Sequence, residues 1–144
     1  MTAKRKSTPR PYNAWTMSES ELRSYIMSWL REKSRWWKPK TKAVARARVR
    51  KGVYKCEECW AEWPWKLPPL PWKKRKRNNA DADHIESVIP VKGFQEDSNT
   101  FLWYDWTEVI RRLFVEEDWY KTLCYNCHSK KTKAENAERR KNKK

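Results

Sequence analysis

Cys124-Tyr125-Asn126-Cys127-His128 is the stretch on which the fold turns. It puts a C-x-x-C pair and a histidine side by side, the pattern of a metal-binding knuckle. Upstream, Asp81-Ala82-Asp83-His84-Ile85 carries the only other histidine, and Cys56-Glu57-Glu58-Cys59 carries the other two cysteines. Every cysteine and histidine therefore falls into one order: C-x-x-C, then D-H, then C-x-x-C-H. Each C-x-x-C aims two thiolates at one point, and two such knuckles complete a tetrahedral four-thiolate shell, which suits zinc. Cys56, Cys59, Cys124 and Cys127 are its expected ligands. The segment between the pairs far exceeds the about 15–20 residues of a simple zinc ribbon, so the metal would clamp the ends of a sizeable insert containing Asp83 and His84.

His128 directly follows a zinc ligand and is held beside that shell rather than in it. A carboxylate such as Asp83 with an imidazole from elsewhere makes a partial shell for Mg²⁺, Mn²⁺ or another hard divalent cation, with positions left for water and phosphate oxygens. A second imidazole near neutral pKa can take a proton from an attacking water. On a strand, Asp83 and His84 would point to opposite faces and do different jobs. A basic chain, a hard cation and a histidine base together point to phosphodiester hydrolysis.

The charge agrees. There are 34 Lys and Arg against 18 Asp and Glu in 144 residues, a net charge of +16, which calls for a polyanion partner. The basic run Lys73, Lys74, Arg75, Lys76, Arg77, with Lys130 and Lys131, is the expected nucleic-acid contact. No apolar run is long enough to span a bilayer and no signal-peptide pattern occurs, so no membrane role is expected. Paired cysteines in such a setting favour metal over disulfides.

Residues 1–17 read as a disordered basic arm. Ser18 and Glu21 have capping-box spacing, and Leu22, Tyr25, Ile26, Trp29 and Leu30 follow at helical intervals, so a helix is expected over 18–33. Trp36-Trp37-Lys38-Pro39 reads as a break. Residues 41–50 suit a second helix, ended by Gly52, and complete a helical N-terminal extension over 18–50. Val53-Tyr54-Lys55 suits a short strand entering the first knuckle. Residues 60–72, with four prolines, read as an extended, exposed aromatic and cationic loop. A strand is expected over 81–89, a helix over 103–114, a basic closing helix over 128–139 and a basic tail over 141–144.

The order C-x-x-C … D-H-I … C-x-x-C-H-x-x-K-T resembles the HNH endonucleases. The likeness covers residues 52–135, and residues 47–56 and 106–114 also look like the free-standing HNH enzymes of bacteriophages. The resemblance implies an α+β fold: a ββα-metal (His-Me finger) core over 51–140, stapled by the four-cysteine zinc site. It implies that His84 is the general base, that Asp83 and His128 hold the catalytic divalent cation, and that the zinc is structural. Double-stranded DNA is the implied partner, with a phage protein as a second. The implied setting is the cytoplasm of a bacterial host, in homing or packaging. One position departs from the pattern. Trp119 stands where the family carries an asparagine that orients the base, and an indole offers no acceptor. A backbone carbonyl or another residue would then orient His84. The alternative reading is a zinc-stapled DNA-binding or packaging-accessory module with weak or no cleavage.

Overall fold

The computed structural model describes residues 9–12, 16–74 and 77–143. These form a mixed α+β structure with small antiparallel sheets.

A two-stranded ribbon, β1 (Pro9–Tyr12) and β2 (Met17–Ser18), leads into helix α1 (Glu19–Ser34). The helix starts where the capping box predicts. Ser18 Oγ accepts from the Glu21 N–H at 3.2 Å, and Glu21 Oε2 accepts from the Ser18 N–H at 3.1 Å. Its buried face, Met27 and Leu30, packs on Val109 and Leu113 of α3 (Trp106–Leu113).

Helix α2 (Lys38–Ala47) packs on the central hairpin, formed by β8 (Ala80–His84) and β9 (Tyr120–Cys124). Ala43 is fully buried against Ala82 and Tyr120, and its small side chain lets the helix approach closely. Thr122 Oγ1 donates to the Ala43 carbonyl at 3.2 Å, which satisfies a buried hydroxyl. The hairpin register runs from Ala80↔Cys124 to His84↔Tyr120, and β9 continues directly into α4 (Tyr125–Asn142). On the other side, β3 (Arg48–Arg50), β4 (Val53–Lys55) and β5 (Glu62–Pro64) form a three-stranded sheet. Next to it, β6 (Lys66–Leu67) pairs with β7 (Arg77–Asn78). Tyr54 is completely buried at the join, edge-on to Trp65 at 5.3 Å, with its hydroxyl donating to the Asn79 carbonyl.

Several expectations are corrected. The break expected at Trp36-Trp37-Lys38-Pro39 is present, since α1 ends at Ser34, but the second helix starts at Lys38 and not at residue 41: Pro39 lies in the first turn of α2, where a missing N–H costs nothing. That helix ends at Ala47 and not at residue 50. Gly52 does not cap it. With φ of +75° it makes the tight turn between Arg50 and Val53, a backbone conformation that favours glycine. The segment 60–72 is not simply an exposed loop, because it contributes β5 and β6 and half-buries Trp63 and Trp65, while Trp60 and Trp72 stay exposed. The strand expected over 81–89 stops at His84. The third helix begins at Trp106, after Leu102 and Trp103 adopt positive φ, with Asp105 capping it. The closing helix starts earlier, at Tyr125, and runs to Asn142, into the expected tail.

Within the expected disordered arm, residues 9–12 and 17 lie in the β1–β2 ribbon; residues 1–8 and 13–15 lie outside the described residues, as does Lys144 of the tail. The N-terminal helices share cores with the rest of the chain through Met27 and Ala43. Among the described residues, no helix is long and apolar enough to cross a membrane.

Candidate active site and metal centre

Two local turns assemble the cysteine cluster. After β4 the chain folds back so that Cys56 N–H donates to the Ala61 carbonyl at 3.0 Å and Trp60 N–H to the Cys56 carbonyl at 2.9 Å. At the other knuckle, Cys124 is the last residue of β9 and the N-cap of α4, and Cys127 sits in the first helical turn. The ligand atoms of Cys56, Cys59, Cys124 and Cys127 all lie within 4.8 Å of one another. Four sulfurs around an ion at about 2.3 Å stand roughly 3.8 Å apart, so the cluster needs little adjustment to hold zinc. Backbone N–H groups already face the sulfurs: Cys124 N lies 3.3 Å from Cys56 Sγ, and Cys127 N lies 3.5 Å from Cys124 Sγ. The cluster can hold a metal ion.

The thiols differ. The Ala61 N–H pulls Cys59 down to about 7, whereas burial above all, with the neighbouring thiols, pushes Cys127 up to about 12. Burial also raises Cys124. Thiols this close oppose one another's ionisation, and a bound divalent cation reverses that opposition. Trp63 Nε1 is buried without a hydrogen bond of good geometry, yet its N–H lies close enough to Cys59 to favour the thiolate.

The first knuckle also clamps the hairpin. Glu57 N–H donates to the Thr122 carbonyl at 2.9 Å, and Glu57 Oε2 accepts the Thr122 N–H at 2.8 Å. The same carboxylate accepts Arg46 Nε at 2.7 Å and Nη2 at 3.0 Å, and Arg46 also donates to the Tyr120 carbonyl at 3.0 Å. The knuckle is thus tied through one carboxylate to α2 and to the free edge of β9. This pairing raises the Arg46 pKa, with the Glu57 hydrogen bond as its main cause.

Asp83 and His84 close β8 and point apart, as alternation requires. Asp83 faces α4. His128 Nε2 is 3.9 Å from Asp83 Oδ2, and Lys131 Nζ is 2.8 Å from that same oxygen. Lys131 also donates to the His84 carbonyl and lies 3.7 Å from Glu135 Oε1. An oxygen and a nitrogen ligand on one ion, each at about 2.0–2.2 Å, stand at most roughly 4.3 Å apart. The Asp83–His128 spacing therefore fits a shared cation, once Asp83 is released from Lys131.

His84 turns the other way. Its Nε2 is 2.9 Å from the Leu113 carbonyl oxygen, and its ring is 4.8 Å from that of Tyr120. A carbonyl only accepts, so Nε2 carries the proton and Nδ1 is the acceptor of the neutral ring. Leu113 is the last residue of α3, where carbonyls have no helical partner. Tyr120 Oη donates to the same oxygen at 3.1 Å, completing its two lone pairs. Burial is the main influence on His84 and lowers its pKa from the ordinary 6.5; the Leu113 bond opposes this, Lys40 and Lys131 add to it, and Asp83 opposes it. The ring is therefore neutral at pH 7. Trp119 is half-exposed and lines a small cavity beside His84, and its carbonyl accepts the Ile85 N–H at 2.9 Å.

A cleft of about 550 Å³ opens between the knuckle, the hairpin and α4, lined by Glu58, His84, Ile85, Lys121, Lys130 and Lys131. Of the basic residues expected to contact nucleic acid, Lys130 and Lys131 line this cleft. Lys73 and Lys74 are exposed elsewhere, Arg77 lies in β7, and Arg75 and Lys76 fall outside the described residues. Glu57, Lys121 and the Leu113 carbonyl escaped sequence reasoning, and Arg46, a candidate phosphate contact on the second helix, is instead engaged by Glu57 and the Tyr120 carbonyl. A backbone carbonyl leaves no sequence signal, and one Glu within a knuckle reads as surface.

Compared with known proteins, the chain matches no family model, no curated protein and no solved structure.

Proposed function

We propose that this chain is a metal-dependent DNA endonuclease of the HNH type, with a ββα-metal core made by β8, β9 and α4. In this reading Cys56, Cys59, Cys124 and Cys127 hold a structural zinc, Asp83 and His128 hold a catalytic divalent cation, and His84 is the general base. The observation that carries the reading is the 2.9 Å contact between His84 Nε2 and the Leu113 carbonyl, which assigns the tautomer. The protonated Nε2 is tied to the Leu113 carbonyl, which leaves Nδ1 as a proton acceptor on a ring that burial keeps neutral. A ring so fixed can take a proton from water attacking a phosphodiester. The Leu113 carbonyl fills the orienting role for which Trp119 is unsuited. The lysine-lined cleft offers the phosphate a cationic bed, and the net charge of +16 draws the duplex to it. The bound cation would neutralise charge developing on the phosphate and the leaving oxygen.

One observation favours the second reading, a zinc-stapled DNA-binding module without cleavage: the Asp83 carboxylate is engaged by Lys131. Incubating supercoiled plasmid with the zinc-loaded protein and Mg²⁺, Mn²⁺ or Ni²⁺, with EDTA as control, separates the two. Relaxed or linear product that EDTA prevents supports the nuclease. Tight binding with intact supercoiled DNA under every metal supports the binding module.

A further inference from the structure

We infer that Lys131 is an exchangeable counter-cation of the catalytic centre: its ammonium and a divalent cation compete for Asp83 Oδ2, and cation binding releases Lys131 into the cleft. This rests on Asp83 and His128 being the cation ligands.

The argument begins with the helix. His128, Lys131 and Glu135 lie three and four residues apart on α4, so their side chains line one face. That face meets the end of β8 at Asp83. Lys131 spends its ammonium donors on Asp83 Oδ2 at 2.8 Å and on the His84 carbonyl, with Glu135 Oε1 at 3.7 Å. It is a positive charge seated on the carboxylate expected to bind metal.

A divalent ion bound to Asp83 Oδ2 would sit about 2.1 Å from it. An ammonium 2.8 Å from the same atom would then stand about 4 Å from an ion of like charge, so each disfavours the other on that oxygen. Asp83 and Lys131 are each only about a quarter exposed, which strengthens the conflict relative to open solvent. The lysine has somewhere to go. Its flexible stem lines the cleft with Lys130 and Lys121, where a phosphate would lie. The exchange has two effects: Asp83 stays neutralised until a cation arrives, and each released ammonium becomes a phosphate ligand at the moment the cation is in place.

The test is Mn²⁺ binding to the full-length, zinc-loaded protein without DNA, followed by the electron paramagnetic resonance signal of free Mn²⁺. Lys131→Met keeps much of the length and removes the charge, and it should bind Mn²⁺ tighter by about tenfold or more, since one charge near 4 Å is felt even in a water-like medium. Lys131→Arg keeps the charge and should stay near wild type. Asp83→Asn should weaken binding. If Asp83→Asn weakens Mn²⁺ binding but Lys131→Met does not tighten it, the exchange is overturned and the cation site stands. If Lys131→Arg tightens as much as Lys131→Met, charge is not the cause and the exchange is overturned. If Asp83→Asn has no effect, the cation site itself is wrong and the inference falls with it.

Discussion

Glu57→Ala should cost far more stability than a surface glutamate would suggest. Glu57 makes three side-chain contacts: Arg46 Nε at 2.7 Å, Arg46 Nη2 at 3.0 Å and the Thr122 N–H at 2.8 Å. Thr122 is fully buried, so its N–H loses its acceptor, at a cost of about 1–3 kcal/mol. The Arg46 pair is partly open to solvent and adds about 1 kcal/mol. Arg46 keeps the Tyr120 carbonyl and Glu117, so it is not orphaned. The total, about 2–4 kcal/mol, is a large share of the roughly 5–15 kcal/mol typical of a domain. Glu57→Gln retains an oxygen for the Thr122 N–H and should lose only about 1 kcal/mol. Urea unfolding with zinc in excess reads both values, with an unchanged slope showing that the unfolded state is unaltered. The reasoning fails if Glu57→Ala unfolds at the wild-type midpoint, or if the Gln and Ala variants are equally destabilised.

Three further outcomes follow from the same geometry. Metal analysis should find one zinc per chain, and Cys59→Ser should lose both zinc and the folded state, because metal affinity in such small sites is folding free energy; a folded, zinc-free Cys59→Ser protein would contradict this. With only two histidines, the His84 ring resonance can be followed by NMR, and its midpoint should lie below 6.5. The unfolded chain then binds more protons between the folded value and 6.5, so stability and the neutral-base fraction should both fall as pH drops through that window, and a midpoint above 6.5 would refute the burial argument. Trp119→Asn should leave cleavage near wild type, since Leu113 already orients His84; a gain in rate would show that the carbonyl does not suffice.

The chain's ends of regularity were legible where a local rule acts alone. Ser18 and Glu21 announced the start of α1, and the paired C-x-x-C spacing announced the cluster of Cys56, Cys59, Cys124 and Cys127. Legibility failed where tertiary context decides. Asp81-Ala82-Asp83 shows no apolar alternation, so the limits of β8 follow from its pairing with β9 and from Ala82 packing under α2. Trp36-Trp37-Lys38-Pro39 announced the break after α1, but not that Trp37 would take the cap and start α2 at Lys38. For the candidate site, the sequence carries Asp83, His84 and His128, but Lys131 read as a DNA contact, because nothing along the chain shows that α4 brings it onto Asp83. The orienting partner of His84 is a main-chain oxygen distant in sequence, beyond any motif.

The central claim is that His84 is the base, and single-turnover plasmid cleavage by His84→Ala tests it most directly. The account predicts a loss of roughly 10²–10⁴-fold, with zinc content and DNA affinity kept and no recovery at higher Mn²⁺. His128→Ala, by contrast, should recover part of its loss as Mn²⁺ is raised. Cleavage by His84→Ala at a rate near wild type would contradict the account.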